Sequence, residues 1–485
     1  MKQIFVAFFS LFFAIGAARA DCATNEFAVG AECIESKFQI TTTEMDAGAA
    51  FSFYMSAMGT FYVDWGDGTS EKIERTDTTE TLYLHTYTSA GPHRIQLGGL
   101  ATGYSTKMTE WDYTNIVSDI AAIRFFTGTF DKSKYQSYGT EVYIVGISGS
   151  LGAIFPTIGG GETVAKQPRF YATFMHCENL QGQLYNTLFA GLSGTPAAIM
   201  FYRTFADDIN LTGPIPEHIF ADISGAPSSW LFYHTFRGCR GLTGSIPPRL
   251  FANIVGQSRN SLFHGTFSGC SGLTGSIPED LFAGVNTNTI SNANIFAATF
   301  QGCSGLTGTI PSGLFRNITR GGVQVFNATF YGCTNLTGYV PPELFENLTG
   351  TGTYMMKDIF YNSGVYTTCP CGTTQYITGY ESDWTGRVSC VVGQKPNEHW
   401  NNGVCTTDCA AGITTLNTST GLNLPVLADA TTEHSLNVKY NNSVCYLPAA
   451  NGAESNTINM SYDGNTYHLV APDEIVPAGF TGQPE

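Results

Sequence analysis

One phrase that recurs along the middle of the chain constrains the fold more than any other feature. Close copies of it begin at Thr204, Thr235, Thr266, Thr299 and Thr329. The second copy reads TFRGCRGLTGSIP, and a weaker copy begins 31 residues before the first; the later spacings are 31, 31, 33 and 30 residues. A period of this length is typical of a solenoid, in which each repeat forms one coil and buries its apolar edge against the next coil. The sequence therefore predicts a long regular surface, which is a kind of surface that usually binds other molecules.

Each repeat contains a segment that predicts a short parallel strand. The segment Leu242–Ile246 alternates apolar and polar residues, so we expect Thr243 and Ser245 to face outwards and the other side chains to face the core. Pro247 cannot donate to a ladder and ends the strand, and the residues after it have the apolar spacing of a short helix. The leucines of the six copies should then stack in one buried column: Leu180, Leu211, Leu242, Leu273, Leu306 and Leu336.

The first twenty residues have the features of a secretory signal peptide. Lys2 is followed by an uncharged apolar run over residues 4–15, and Ala18-Arg19-Ala20 is a cleavage sequence of the small-x-small kind. We expect cleavage after Ala20, and Asp21 separates that site from the next cysteine, which argues against lipid anchoring. No later stretch reaches the roughly 18 apolar residues that a membrane-spanning helix needs. The sequence therefore predicts an exported protein, either secreted or held at the cell surface.

The chain has thirteen cysteines, all after the signal peptide, where disulfides can form. The residues predicted to form disulfides are Cys22 with Cys33, and a C-terminal group of Cys369, Cys371, Cys390, Cys405, Cys409 and Cys445. The alternative is zinc ligation by part of the C-terminal group. Disulfides are favoured over zinc because the chain is predicted to be exported. The other five cysteines occupy one position of the repeat and predict a stack of buried thiols: Cys177, Cys239, Cys270, Cys303 and Cys333.

Residues 37–100 have the pattern of a small all-β domain. The strings VDWGDGTSEKI, from Val63, and HTYTSAGPHRIQL, from His85, combine aromatic-rich strands with tight turns. Together they resemble the signature of the PKD (polycystic kidney disease) domain, an immunoglobulin-like sandwich that serves surface proteins as a spacer or binding module. The resemblance implies that Asp64 and Asp67 hold their turn together. Calcium binding by these two carboxylates is an open alternative.

The repeats resemble the BspA-like leucine-rich repeats of bacterial surface proteins over roughly residues 166–365. The shared pattern is a Phe, a Cys a few residues later, then Leu-Thr and an apolar residue. The LTGxIP string is also similar to plant-type leucine-rich repeats, although the period here is longer. The resemblance implies a binding surface on a solenoid, and a PKD-like domain ahead of such repeats is a combination seen in that surface family.

These patterns predict a mostly β fold with short helices. A PKD-like β-sandwich is followed by a leucine-rich-repeat solenoid and a disulfide-rich β module at the C-terminus, where Asn441-Asn442 and Asp463-Gly464 predict hairpin turns. The predicted divisions are a signal peptide at 1–20, a Cys-bridged segment at 21–36, the PKD-like domain at 37–100, a solenoid cap with degenerate repeats at 101–165, the repeats at 166–365, a Cys-rich module at 366–429 and β-hairpins at 430–485.

Composition and motifs give little support for catalysis or for a charged partner. The formal net charge of −16 argues against nucleic acid and against anionic lipid. The chain contains no nucleophile elbow, no HExxH helix and no phosphate-binding loop, so we predict no catalytic residue, cofactor or metal. His234 and His264 fall at neighbouring repeat positions, which we interpret as half-exposed positions of the coil rather than metal ligands. An exported hydrolase with accessory domains and a structural coat protein remain the alternative functions.

The outward face of the repeat strands is the candidate binding site. Its residues form two columns: Thr212, Thr243, Thr274, Thr307 and Thr337 in one, and Ser245, Ser276, Thr309 and Tyr339 in the other. One interpretation is that threonine merely suits an exposed sheet, and another is an ice-binding face. A third interpretation, on which the predicted function rests, is a concave docking strip for an extracellular protein or glycan.

Overall fold

The computed structural model describes residues 21–107, 118–128, 139–159, 166–287, 293–338, 340–345, 347–349 and 352–365, together with the backbone of short strands at 130–131, 136–137 and beyond residue 397. The signal peptide, the side chain of Tyr339 and the pairing of the C-terminal cysteines therefore lie outside the described residues. The chain divides into two compact units, Met1–Thr367 with Ile377–Val388, and Thr368–Tyr376 with Ser389–Glu485.

The protein is mostly β, as predicted, and contains almost no helix. The helices among the described residues are two four-residue 3-10 helices, Thr140–Tyr143 and Pro342–Phe345. The helix expected after Pro247 is not formed: Leu250 N–H donates to the Pro247 carbonyl at 3.2 Å, which is the three-residue hydrogen bond of a turn. Successive turns replace a helix because each coil has to change direction within a few residues. No helix in the described ranges is long and apolar enough to cross a membrane.

Two larger β-sheets and two short two-stranded sheets form the described N-terminal part of the first unit. The strands are β1 (Glu26–Val29), β2 (Glu32–Glu35), β3 (Phe38–Thr42), β4 (Ala50–Met55), β5 (Met58–Asp64), β6 (Ser70–Arg75), β7 (Thr81–Thr86), β8 (Arg94–Gly103), β9 (Ile123–Arg124), β10 (Phe130–Asp131), β11 (Gln136–Ser137) and β12 (Ile144–Gly149). One larger sheet has the order β12-β3-β8-β5-β6 and the other the order β7-β4-β9, whereas β1 pairs with β2 and β10 with β11. The two strings predicted to combine strands and turns contribute residues to β5 and β6 and to β7 and β8. The predicted Cys22–Cys33 disulfide is confirmed and ties the start of this part to β2.

Aromatic residues fill the interior of this N-terminal part. Phe38 on β3 and Phe53 on β4 point inwards because alternate residues of a strand face the same side, and neither is exposed. Both rings pack against Phe125, with centroid separations of 6.1 and 6.0 Å. One hydrophobic cluster therefore includes residues from both sheets and continues into the repeats.

The stretch between the sheets and the repeats belongs to both. β12 pairs antiparallel with β3, so part of the predicted cap completes the five-stranded sheet. The same stretch also hydrogen-bonds to the first repeat. Gln181 N–H donates to the Val145 carbonyl at 3.0 Å, and Leu151 N–H donates to the Leu188 carbonyl at 2.8 Å. The stack of coils thus begins on a sheet edge, which pairs backbone groups that an isolated first coil would leave open.

Successive repeats stack through backbone hydrogen bonds between equivalent positions. Phe201 N–H donates to the Leu231 carbonyl at 3.0 Å, and Arg203 N–H donates to the Tyr233 carbonyl at 2.9 Å. The intervening N–H groups bond within their own coil, as Thr204 does to the Phe201 carbonyl at 3.4 Å. Along this segment every fourth residue has a positive φ. The backbone is therefore a chain of turns that nevertheless pairs with the next coil in the way a parallel strand does.

Three columns of phenylalanine fill the interior of the stack. They are Phe170, Phe201, Phe232, Phe263, Phe296 and Phe326; Phe174, Phe205, Phe236, Phe267, Phe300, Phe330 and Phe360; and Phe189, Phe220, Phe251, Phe282, Phe315 and Phe345. Equivalent rings of neighbouring coils stack with centroids 5.5–6.3 Å apart. This is the favourable range for aromatic pairs, and the columns give the stack a continuous core.

The repeat cysteines form a further interior column, and the prediction of buried free thiols is confirmed. From Cys239 onwards each Sγ donates to a phenylalanine carbonyl of the preceding coil at 2.9–3.0 Å. One coil departs from the pattern, because Asp208 occupies the cysteine position. The Asp208 side chain is fully buried; its Oδ1 accepts the Cys177 N–H at 2.9 Å, and its Oδ2 has no hydrogen-bond partner.

The second unit contains a six-stranded sheet. Its strands are β13 (Glu398–Asn401), β14 (Val404–Asp408), β15 (Asn437–Tyr440), β16 (Ser443–Tyr446), β17 (Met460–Tyr462) and β18 (Tyr467–Leu469). The order across the sheet is β13-β14-β16-β15-β17-β18. The pairs β15–β16 and β17–β18 are antiparallel, so the two hairpins predicted in this region are confirmed.

Candidate binding surface

The segments predicted to be strands, such as Leu242–Ile246, form only isolated parallel bridges, for example Gly213 with Leu242. Their outward residues nevertheless lie together on one face of the stack. We call this face the hydroxyl strip; it consists of Thr212, Thr243, Ser245, Thr274, Ser276, Thr307, Thr309 and Thr337, all of which are exposed. The repeat leucines, from Leu180 to Leu336, are at most 1% exposed, and all but Leu180 directly precede a threonine of the strip. The predicted division into buried leucines and exposed hydroxyls is therefore confirmed for these residues.

Backbone pairing and glycine hold the strip in register. Thr274 N–H donates to the Gly244 carbonyl of the preceding coil at 2.8 Å, and equivalent bonds of 2.8–2.9 Å recur along the strip. The glycine was expected to face the core of a flat strand, but Gly244 and Gly275 each have a φ of 74°, so the chain turns there. A Cβ atom on Gly275 would lie 3.3 Å from the Cβ of Ser245. Glycine thus permits both the left-handed conformation and the close approach of the coils.

The strip hydroxyls make no hydrogen bond to any part of the chain that the structure describes. The other threonine of each repeat behaves differently: Thr235 Oγ1 donates to the Phe201 carbonyl at 2.8 Å, and Thr266 Oγ1 donates to the Phe232 carbonyl at 2.9 Å. Thr235 and Thr266 are fully buried. The repeat therefore uses one threonine to satisfy its own backbone and leaves the other hydroxyls available to water or a ligand.

The strip carries no charge. The segments 212–216, 243–247, 274–278 and 307–311 contain no Asp, Glu, Lys or Arg. Residues 166–365 as a whole contain ten acidic and ten basic residues, so the net charge of −16 arises elsewhere in the chain. Five coils at the spacing of paired strands extend over about 19 Å. The strip is thus a neutral surface of donors and acceptors with a regular repeat.

The Asp-Trp-Gly-Asp-Gly turn uses its carboxylates internally. Asp64 Oδ1 accepts the Gly66 N–H at 2.9 Å, and Asp67 Oδ1 accepts the Thr69 N–H at 2.9 Å. Asp67 Oδ2 lies 2.7 Å from His85 Nε2. Burial acts to raise the pKa of Asp67, but the hydrogen bonds from Thr69 and His85 outweigh burial, and the pKa is lowered. A calcium ion at Asp67 would have to compete with these donors, which counts against the calcium alternative.

Other candidate sites have structural explanations. The His85–Asp67 pair resembles part of a catalytic triad, but in the described ranges no hydroxyl or thiol bonds to the second ring nitrogen of His85. An open groove of about 440 Å³ lies over β8 and is lined in part by Tyr62, Leu100 and Lys37. Lys37 Nζ is already engaged, since it donates to the Gly99 carbonyl at 3.0 Å. Neither place presents converging groups for acid–base chemistry.

The two repeat histidines occupy different columns of the stack. His264 aligns with Tyr233, and their rings stack with centroids 4.7 Å apart, whereas His234 lies beside Gly265. Arg203 occupies the position equivalent to His234 one coil earlier and was not among the site residues predicted from the sequence. Alignment of the repeats could have identified Arg203, because most repeats have Ala or Gly at this position.

Comparison with models of known protein families, with curated proteins and with solved structures found no match. The function is therefore argued from the surface geometry alone.

Proposed function

We propose that this is an exported surface or secreted protein that binds a neighbouring macromolecule, a protein or a glycan, through the hydroxyl strip. The observation that carries the proposal is the contrast between the two threonine positions of each repeat. The hydroxyls of Thr235 and its equivalents are buried and bonded, whereas those of Thr243 and its equivalents lie on exposed residues and make no bond to the described chain. Polar groups placed in register without internal partners suit a ligand that presents matching donors and acceptors.

The proposal includes a finer view of the architecture. The stacked coils support a BspA-like leucine-rich-repeat solenoid, and the two N-terminal sheets with a shared aromatic core support a PKD-like sandwich ahead of it. In this view the sheets are a spacer, and the six-stranded C-terminal sheet belongs to a disulfide-stabilised module. The signal sequence supports export.

A neutral strip predicts how binding should behave. Interactions between charged surfaces weaken with salt, whereas hydrogen bonds and shape complementarity respond little. We therefore expect the affinity to change less than about twofold between roughly 0.05 and 0.5 M NaCl. A steep loss of affinity with salt would show that a charged surface, and not the strip, makes the contact.

The decisive experiment compares two double substitutions in the intact chain on an array of glycans and extracellular-matrix proteins. Thr243→Lys with Thr274→Lys places two long charged side chains on the strip and should abolish the wild-type binding. Ala252→Lys with Val255→Lys is the matched control, because both residues are exposed and lie on another face of one coil. Circular dichroism should show both variants folded. Full binding by the strip variant, or equal loss in both variants, would refute the assignment of the strip.

A further inference from the structure

A second segment of the coil presents large polar side chains where the repeat needs none. The equivalent positions of successive coils are Ala172, Arg203, His234, Gly265, Ala298, Ala328 and Asp358, with φ between 52° and 58°. Four of the seven are Ala or Gly, so the turn forms without a large side chain. Arg203 and His234 therefore require an explanation other than the fold.

The two side chains belong to a compact aromatic and basic cluster. The Arg203 guanidinium carbon lies 5.3 Å from the centroid of the Tyr202 ring. The His234 ring is 5.2 Å from the His264 ring, and Tyr233 packs against both histidines. A methyl group on the next residue of the column, a glycine, would overlap the His234 imidazole. The neighbouring coil thus leaves the space that this ring occupies.

Within the described residues, the cluster has hydrogen-bonding atoms with no partner and a positive charge with no counterion. The Nε of Arg203 and the Nδ1 atoms of His234 and His264 are buried and unpaired. No carboxylate of the described residues pairs with Arg203, whereas the nearby Arg237 is matched by Asp207 at 3.0 Å. A partly desolvated guanidinium is stabilised by an oxyanion partner, and the described chain supplies none.

The charge of Arg203 decides which kind of ligand fits. Burial, and then the charge of Arg203, lower the pKa of His264 to about 4, so this imidazole is neutral near pH 7. Burial lowers the pKa of His234 well below its ordinary value as well. A neutral imidazole can donate one hydrogen bond, and a guanidinium binds two oxygens of a planar or tetrahedral anion at once. A metal cation, by contrast, would be repelled by Arg203.

We propose that Arg203, His234 and His264 form a binding site for a single oxyanion group, a carboxylate, sulfate or phosphate, carried by an extracellular ligand. The site lies on a different segment of the coil from the hydroxyl strip and does not depend on the function proposed for the strip. It would allow the repeats to hold an acidic sugar or an acidic side chain at one defined point.

The test is isothermal titration of the intact protein with sodium glucuronate, inorganic sulfate and inorganic phosphate at constant ionic strength. The anion that binds most tightly identifies which of the three groups the site prefers. Arg203→Ala is the informative variant, because alanine occupies the equivalent position in three other coils. Arg249→Ala is the matched control, since Arg249 is exposed and no described residue pairs with it. We expect Arg203→Ala to weaken binding at least tenfold and Arg249→Ala to leave it unchanged.

A second variant keeps the test decisive if Arg203→Ala fails to fold. His234→Ala also introduces a residue that the column accepts and should weaken binding by a smaller factor. Equal affinity in the wild type and both folded variants would overturn the proposal. The absence of saturable binding by the wild type to all three anions up to about 10 mM would overturn it as well.

Discussion

Replacing Asp208 by cysteine should stabilise the protein, although it removes a native residue. In the coils that carry Cys239, Cys270, Cys303 and Cys333, the thiol donates to a phenylalanine carbonyl of the preceding coil. In Asp208→Cys the equivalent acceptor is the Phe174 carbonyl. The Cys177 N–H would lose its bond to Asp208 Oδ1 but keep its bond to the Phe174 carbonyl at 2.9 Å. The substitution therefore removes one unpaired buried oxygen and leaves no new one.

The magnitude follows from burial and from proton linkage. An unsatisfied buried polar group costs about 1–3 kcal/mol. Burial raises the pKa of Asp208 well above its ordinary value, so the folded protein keeps a proton that the unfolded chain releases above about pH 4. The stability contributed by this group is fully present below the unfolded pKa and is lost, by about 1.4 kcal/mol per pH unit, as the pH rises towards the folded pKa. We expect Asp208→Cys to gain about 2–4 kcal/mol at pH 7 and less at pH 4.5.

The measurement is the unfolding midpoint as a function of pH between 4.5 and 7.5. Asp208→Asn is the companion variant, because it keeps the shape of the side chain but cannot ionise, so it should remove the Asp208 contribution to the pH slope. Asp222→Asn is the control, since Asp222 is exposed and should leave both midpoint and slope unchanged. The reasoning fails if the wild type and Asp208→Asn show the same pH slope, or if Asp208→Cys is less stable than the wild type at pH 7.

Three further predictions test the stack. The five repeat cysteines are buried, and burial raises the pKa of each thiol, so iodoacetamide at pH 8 should label them only after denaturation, as mapped by mass spectrometry. Gly275→Val should destabilise by about 2 kcal/mol or more, because the residue has a φ of 74° and a close neighbour, whereas Ser276→Val on the exposed strip should change the unfolding free energy by less than about 0.5 kcal/mol. Phe251→Ala empties a position whose ring packs 4.6 Å from Phe232 and should cost about 3–5 kcal/mol in denaturant unfolding; a loss below 1 kcal/mol would contradict the continuous aromatic core.

Much of the surface could be predicted because the repeat makes it a local problem. Alternation along Leu242–Ile246 separates inward from outward residues, and a fixed period places equivalent residues above one another. The same logic correctly predicted the buried thiol column and the exposure of Thr243. Short-range signals also sufficed for the Cys22–Cys33 disulfide and for the two C-terminal hairpins.

Other features depended on contacts that no repeat pattern contains. The residues after Pro247 have helical apolar spacing but form turns, since the dimensions of the coil overrule local preference. β12, which resembles a decayed repeat, also pairs with β3, and only the folded chain shows that one segment serves the sheet and the stack. Arg203 attracts attention only once its unpaired Nε and its neighbours His234 and His264 are placed together.

The amino-acid order by itself determined the period, the face that carries hydroxyls and the columns that lie inside, because these are properties of spacing along one coil. The tertiary structure decided which polar groups form hydrogen bonds within the described protein and which do not. Thr235 and Thr243 are both threonine in the same repeat, yet only Thr235 has a carbonyl of the preceding coil within reach of its hydroxyl. Whether a polar atom has a partner depends on distances between coils, and those distances are absent from any single stretch of sequence.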